Sequence, residues 1–498
     1  MHAAPWIRTL LGSWLSRVAL LAFVGMLVFW GAALWFGTPY LYSDGDTGTW
    51  IWMLRHGEAV YGNPMTAGAL SQAVPSWDVG PGLPMRLSNY PPLYLHAVAW
   101  LAPSDANILR TGAVLSLLGF VTAMAGVALS AYRASGKAQT GLAAALLLGG
   151  SGSAAYNAAS CFPDTAGLGL AVVGVTLAAL RCRGWPLLSG LLFCAAVLVK
   201  HSLVLLPVGT CLWALANPST RRQAWLLAAS LAVPLFAALW TCDLFAPLVL
   251  WTKTTWAADY FALQFAVWGL PLVPGIVAVV ALLRRWPQLQ PVTRAVLGPW
   301  AFIAALGVLW LLALGRRGSG ANYTIELITA TAVLLPIASE QRARPRLALL
   351  HGIAMLGLSL GLTVYHLGWI WPKQTRDQAV VQAVLRDRPG PLLAETPWYT
   401  TRLGRPPLVI SYLATQLANA GRWQSDGLLA MLRDGQIAAV ILNFPVETAP
   451  KLGHADRLPP AVLPLLRDRY QLAAQTDSVF VYTPRQPEPE PEPSTVSR

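Results

Sequence analysis

LLSGLLFCAAVLVKHSLVLLPVGTCLWALA, residues 187–216, runs for 30 residues and is broken only by Lys200, His201 and Ser202. As one helix it would be about 45 Å long at 1.5 Å per residue, too long for an apolar layer of ~30 Å without strong tilt. It would also place Arg181 and Arg183 on the opposite side of that layer from Arg221 and Arg222. Two short helices turning at Lys200 keep both arginine clusters on one side, as the excess of Lys and Arg in cytoplasmic loops requires. Each is shorter than the usual ~17–25 residues, a length tolerated where a broken helix lines a site.

The rest of the chain follows the same logic. It has 498 residues, 55% hydrophobic and 11% charged, against about 25% charged in an ordinary soluble domain. Apolar blocks run roughly over 18–36, 108–131, 138–152, 165–180, 187–199, 203–216, 224–242, 264–283, 295–314, 324–338 and 347–367. Arg133 and Lys137 follow the second, Arg284, Arg285 and Arg294 the eighth, and Arg342, Arg344 and Arg346 the tenth. Every second loop is therefore basic. This predicts a polytopic α-helical membrane protein of about eleven spans with its amino terminus in the cytoplasm. The polar stretch Ser151–Asp164 splits 138–180 as Lys200 splits 187–216. Block 18–36 follows Arg8 and Arg17 and ends in Trp30, Trp35 and Phe36. It is too long for a signal-peptide core and reads as an uncleaved, aromatic-anchored first span.

The net charge of +13 sits in small clusters between apolar blocks, with no basic face interleaved with aromatics, so nucleic acid is excluded as a partner. The five cysteines form no CxxC pair, which leaves a zinc or redox site without support. Cys161 and Cys242 both fall outside under this topology; a disulfide and two unpaired thiols are both open there.

The odd span count places the carboxyl-terminal region outside. Thr375–Arg386 reads as a surface helix, and Pro391–Glu395, Ala438–Phe444 and Val479–Tyr482 read as short strands. Ser425 or Asp426 is placed to cap a helix that ends before Gly435. The predicted organisation is a transmembrane domain over 1–368 with a first outer loop at 37–107, a small extracytoplasmic α/β domain over 369–485, and a charged Pro/Glu tail over 486–498.

Polar chemistry collects on the outer side. The first outer loop opens with Tyr42-Ser43-Asp44-Gly45-Asp46, two carboxylates flexed by a glycine. Such a pair can share a cation or divide base and binding roles, and it also suits a solvated turn. The loop closes with Asn89-Tyr90-Pro91-Pro92-Leu93-Tyr94, a rigid lead-in to the second span, where Arg110 sits at the boundary. Asp164, in Phe162-Pro163-Asp164, opens the fourth helix. Lys200 with His201, Lys253, and Arg316 with Arg317 break the charge rule. Arg316 and Arg317 lead into Gly318-Ser319-Gly320-Ala321-Asn322-Tyr323 and Glu326; cations beside flexible glycines at a helix start suit a phosphate, and contact with outer lipid headgroups is open for this pair and for Lys200.

An acidic motif after the first span, a long loop ending in YPPLY, a lysine turn between two short helices and a later GSxxNYxxE stretch together resemble the GT-C membrane glycosyltransferases. The resemblance is to bacterial family 39 proteins, related to protein O-mannosyltransferases and the lipid A aminoarabinose transferase. It implies transfer of a sugar from a polyprenyl-phosphate-linked donor to an acceptor hydroxyl on the outer face of the plasma (inner) membrane. The acceptor would be an extracytoplasmic glycan, lipid or protein. The family's acidic residue matches Asp44, with Asp46 second, and a divalent metal at that pair is compatible with it. The phosphate-contacting cations fall on Lys200 and the Arg316/Arg317 loop. Tyr90, Arg110, Asp164, His201, Asn322, Tyr323 and Glu326 complete the expected substrate-binding set. The competing reading is a lipid-linked sugar flippase or transporter without chemistry. Transporters usually carry ionisable groups near the midplane between repeated halves, whereas here the charges cluster at the outer ends.

Overall fold

The computed structural model describes residues 42–61, 83, 85–242, 256–316, 320–341, 350–355, 371–419, 421–448 and 461–485, with single positions within 17–30 and 357–364 and Leu244, Leu458 and Pro459. The first and last predicted spans and the Pro/Glu tail lie largely outside these residues. The chain forms two compact units: residues 1–55 with 88–371, and residues 56–87 with 372–498. The stretch 56–87 of the first long loop thus belongs to the carboxyl-terminal unit.

The first unit is helical. α1 (Tyr42–Arg55) and α2 (Pro92–Leu101) lie within the stretch 37–107 expected as the first outer loop, and α3 (Ile108–Ser135) and α4 (Ala138–Gly149) follow it. Next come α5 (Gly152–Ala158), α6 (Pro163–Leu180), α7 (Trp185–Val199), α8 (Leu205–Ala216) and α9 (Arg221–Thr241). The unit continues with α10 (Ala258–Gln264), α11 (Val273–Arg284), α12 (Pro291–Trp310) and α13 (Ile325–Gln341). Among the described residues, six helical segments are long and apolar enough to cross a membrane, and α2, α4, α7 and α8 are shorter apolar helices. The stretch 187–216 breaks at 200–204, and 138–180 breaks around α5. Pro163 and Pro186 sit in the first turns of α6 and α7, where a missing N–H costs nothing.

The sidedness of these helices is that of a lipid-facing bundle. On α9 the buried residues are Ala224, Leu227 and Ser230, one stripe at three-residue spacing. Leu226, Val233, Phe236 and Trp240 on the same helix are exposed. In water such a face would be driven inward; in lipid it is solvated. Contact between helices depends on small residues. A Cβ on Gly169 would lie 2.4 Å from the Gly119 carbonyl oxygen, so α3 and α6 meet backbone to backbone. A Cβ on Gly190 would lie 1.8 Å from Ser230 Oγ, which fixes α7 against α9.

The second unit carries α14 (Trp371–Leu385), β1 (Leu392–Ala394), α15 (Trp398–Thr401), α16 (Ser411–Asn419), α17 (Asp426–Arg433), β2 (Ala439–Leu442), α18 (Val462–Arg469), β3 (Tyr470–Gln475) and β4 (Phe480–Pro484). The sheet order is β1-β2-β4-β3. β1 and β2 pair in parallel with Leu392 opposite Ala439, and β4 runs antiparallel to both β2 and β3. Every residue of β1 and β2 is buried, the mark of strands covered on both faces. β3 was not among the expected strands: its pattern is mostly exposed after Tyr470 and it is kinked between Leu472 and Ala474, so no run of apolar alternation announces it. Met85 extends this unit, donating its N–H to Leu408 at 3.1 Å and accepting from Ile410 at 2.8 Å. None of the five cysteines is in a disulfide, with Cys161 buried and Cys242 exposed, so the disulfide alternative is not realised.

Candidate active site

The turn at Lys200 is the centre of the site in the first unit. α7 ends when Lys200 adopts an extended backbone, its N–H still bonded to the Ala196 carbonyl at 2.8 Å. The Lys200 carbonyl then accepts from Leu203 at 3.1 Å, which closes the turn. This geometry sends the ammonium into the protein, where Lys200 is 3% exposed. Its Nζ lies 3.1 Å from Asp164 Oδ2, and Asp164 is itself 1% exposed. The same Nζ sits over the Tyr90 ring, 4.1 Å from its centroid, and 5.7 Å from that of Phe162. A buried ammonium thus has one carboxylate and two aromatic faces as partners, the arrangement that makes burial of a charge tolerable.

Each partner is positioned by its own element. Asp164 stands in the first turn of α6, where the helix dipole favours negative charge. Ser88 Oγ accepts from the Tyr90 N–H at 3.0 Å, and Pro91 and Pro92 stiffen the following step. Tyr90 meets Phe162 edge-on at 6.3 Å and Trp50 of α1 at 5.4 Å. A second layer holds Phe162: Ser116 of α3 donates to its carbonyl, and Tyr94 of α2 reaches Ser116 Oγ at 3.0 Å and the Gly112 carbonyl at 2.8 Å.

Glu326, in the first turn of α13, is 3% exposed and faces the amino end of α8. Its Oε1 accepts the Leu206 N–H at 2.9 Å, and the carboxylate also lies against the backbone of Val204 and Leu205. α8 has no side-chain cap of its own. A carboxylate from a helix 120 residues away in sequence therefore satisfies the orphan donors that follow the lysine turn.

His201 follows Lys200 in the turn, outside the apolar helices. Its Nδ1 is enclosed and has no hydrogen-bond partner among the described residues. Burial first, then the charges of Lys200 and Arg316, push the imidazole down to about 3, so it is neutral at physiological pH. That effect places the Arg316 charge within reach of the turn. Arg316 is half-buried and its backbone bridges Trp256. Asn322 and Tyr323 lie in a short turn, Ala321–Thr324, with Tyr323 stacked on Trp310 at 6.4 Å. Arg110 is exposed on the first turn of α3, unlike the buried Lys200 and Asp164. Arg317 lies outside the described residues.

The acidic motif is helical. Asp44 and Asp46 occupy the first turns of α1, not a glycine-flexed loop. Positions two apart lie on different faces of a helix. Asp46 is buried, one turn before Trp50, and through Trp50 and Tyr90 α1 connects to the Lys200 cluster; the Asp44 side chain is outside the description. Among the described residues no three His, Cys, Asp or Glu side chains converge as metal ligands.

Sequence reading supplied Lys200, Asp164 and Tyr90 as separate candidates. It missed Trp50, Phe162, Tyr94 and Ser116. Trp50, four residues after Asp46, was the one legible signal among these, because that spacing stacks two side chains on a helix.

The helical bundle, with helices broken at a buried lysine turn, and the small mixed sheet make up a fold that solved structures share. Among them are two structures of ArnT from Cupriavidus metallidurans, one bound to undecaprenyl phosphate and one in the apo state. Each matches at 14% identity and a TM-score of 0.58, over 94% of this chain and 98% of that one. The Archaeoglobus fulgidus oligosaccharyltransferase, in complex with Zn and sulfate, matches at 12% identity and a TM-score of 0.47, over 95% of this chain and 73% of that one. No family model and no curated protein matches the sequence.

Proposed function

We propose that this protein is an inverting membrane glycosyltransferase that moves a sugar from a polyprenyl-phosphate-linked donor to an acceptor hydroxyl on the outer face of the plasma membrane. The observation that carries the reading is the buried Lys200, held by Asp164 and Tyr90 at the break between α7 and α8, on a fold shared with a protein that binds undecaprenyl phosphate. A buried ammonium beside a neutral histidine and within the field of Arg316 suits a phosphate leaving group in a poorly hydrated cleft. Stabilisation of developing charge in such a place is often the largest contribution to catalysis.

In this mechanism the acceptor oxygen attacks the anomeric carbon and its proton passes to Asp44. The bond from that carbon to the phosphate oxygen breaks, and the electron pair leaves with the polyprenyl phosphate. Lys200, Arg316 and Arg317 match the charge that builds on the phosphate. A positioned general base contributes about 10²–10⁴-fold. Inverting hydrolysis of a sugar requires a second, acidic carboxyl group, but a phosphate leaving group needs none.

The test uses a membrane preparation and a labelled polyprenyl-phosphate sugar. Wild-type protein consumes the donor and labels an acceptor, whereas a flippase only relocates it. Asp44→Asn, inserted normally, should lose transfer by at least about 10²-fold. Undiminished transfer would remove Asp44 as the base.

A further inference from the structure

Arg86 lies in the part of the first long loop that belongs to the second unit, within a segment whose described residues Leu83, Met85, Leu87 and Arg86 itself are all buried. The backbone bonds of Met85 to Leu408 and Ile410 pin it there. Arg86 is 4% exposed, and its Nη1 donates to the Glu58 carboxylate. Its Nε and Nη2 are buried and have no hydrogen-bond partner among the described residues.

Among the described residues no other guanidinium is left buried in this state. Arg55, more exposed, gives its Nε to Asp105 at 2.9 Å and its Nη1 to the carbonyls of Ala99 and Ala102 at 2.7 and 2.6 Å. Arg405 donates to the carbonyls of Arg388 and Leu385. A buried arginine that serves only packing spends its donors on backbone in this way, because unmade bonds from a desolvated charge are costly. Nε and Nη2 also form one edge of the guanidinium, the edge that receives a carboxylate or phosphate through two parallel N–H···O bonds. Burial works against the charge of Arg86 and lowers its pKa, with Glu58 opposing.

We propose that the Nε/Nη2 edge of Arg86 is a binding site for a singly charged oxyanion, a phosphate diester or a carboxylate, carried by a substrate or a lipid headgroup. Glu58 sets the charge. The Arg86–Glu58 pair is neutral, so a monoanion leaves the site with one net negative charge and a dianion leaves it with two. In a place of low dielectric that difference selects the diester over inorganic phosphate. The site stands on the second unit's own geometry and does not depend on the role given to Lys200.

The test is calorimetric titration of the full-length protein in detergent with dimethyl phosphate and with inorganic phosphate. Wild-type protein should bind dimethyl phosphate in preference to inorganic phosphate at pH 8. Arg86→Lys keeps the charge but loses the two-pronged edge, and should weaken dimethyl phosphate by about tenfold or more. Glu58→Gln keeps Arg86 and removes the competing charge, and should narrow or reverse the preference. This variant decides the matter if Arg86→Lys does not fold. In nanodiscs of phosphatidylglycerol, loss of dimethyl phosphate binding would assign the site to a lipid headgroup, and retained binding would assign it to a substrate. Equal affinity in wild type and Arg86→Lys, or an unchanged preference in Glu58→Gln, overturns the proposal. Either result leaves transfer at Asp44 and Lys200 to be judged by its own assay.

Discussion

Removing one member of the Lys200–Asp164 pair should cost more than removing both. At 3.1 Å two unit charges attract by about 5 kcal/mol at an effective dielectric of about 20. Desolvation of two groups that are 3% and 1% exposed opposes most of that gain, so the intact pair is close to neutral for stability. A single substitution leaves the desolvation cost of the survivor uncompensated. Asp164→Asn and Lys200→Met should therefore each destabilise by about 3–5 kcal/mol. Asp164→Asn should fall at the lower end, because the ammonium keeps the Tyr90 ring 4.1 Å away, worth roughly 1–2 kcal/mol when desolvated. The double variant should lose less than either single one. The assay is reversible unfolding in mixed SDS micelles for the four proteins of the cycle. A coupling of at least about 3 kcal/mol is expected. Strict additivity would refute the reasoning, since it would mean that neither charge depends on the other.

Three further outcomes follow from the same geometry. Glu326→Ala should uncap α8, destabilise by about 1–2 kcal/mol and raise KM for the lipid-linked donor, while Glu326→Gln, which keeps an acceptor for the Leu206 N–H, should restore KM; equal loss in both variants would assign Glu326 to direct substrate contact. Gly169→Ala brings a methyl group to 2.4 Å from the Gly119 carbonyl oxygen, which should separate α3 from α6 at a cost of about 1–3 kcal/mol, measured as a lower SDS midpoint; an unchanged midpoint would exclude the backbone contact. His201 is pushed down to about 3 in the folded protein and titrates near 6.5 when unfolded. The unfolded state therefore binds the extra proton, so stability is unaffected above about 6.5 and falls as pH drops from there toward 3. His201→Phe should flatten that acid limb of the SDS midpoint, and an unaltered limb would contradict it.

The residue string alone was enough for the helical membrane class. The span lengths, the break at Lys200 and the two buried strands at 392–394 and 439–442 are local properties, because apolar length and periodicity report the surroundings of each segment directly. Lys200 was visible as a cation that breaks the charge rule, Asp164 as an acid opening a helix and Tyr90 as part of the rigid NYPPLY lead-in. That they form one cluster was decided by tertiary packing, since their separation in sequence contains no statement about which helix ends meet. Packing also turned the Asp44-Gly45-Asp46 stretch into a helix despite its glycine, set Glu326 on the end of α8, and joined residues 56–87 to the carboxyl-terminal unit. Propensity and spacing act over a few residues. Capping across 120 residues, a cation over a ring and an arginine edge facing inward arise only when distant segments exclude water together.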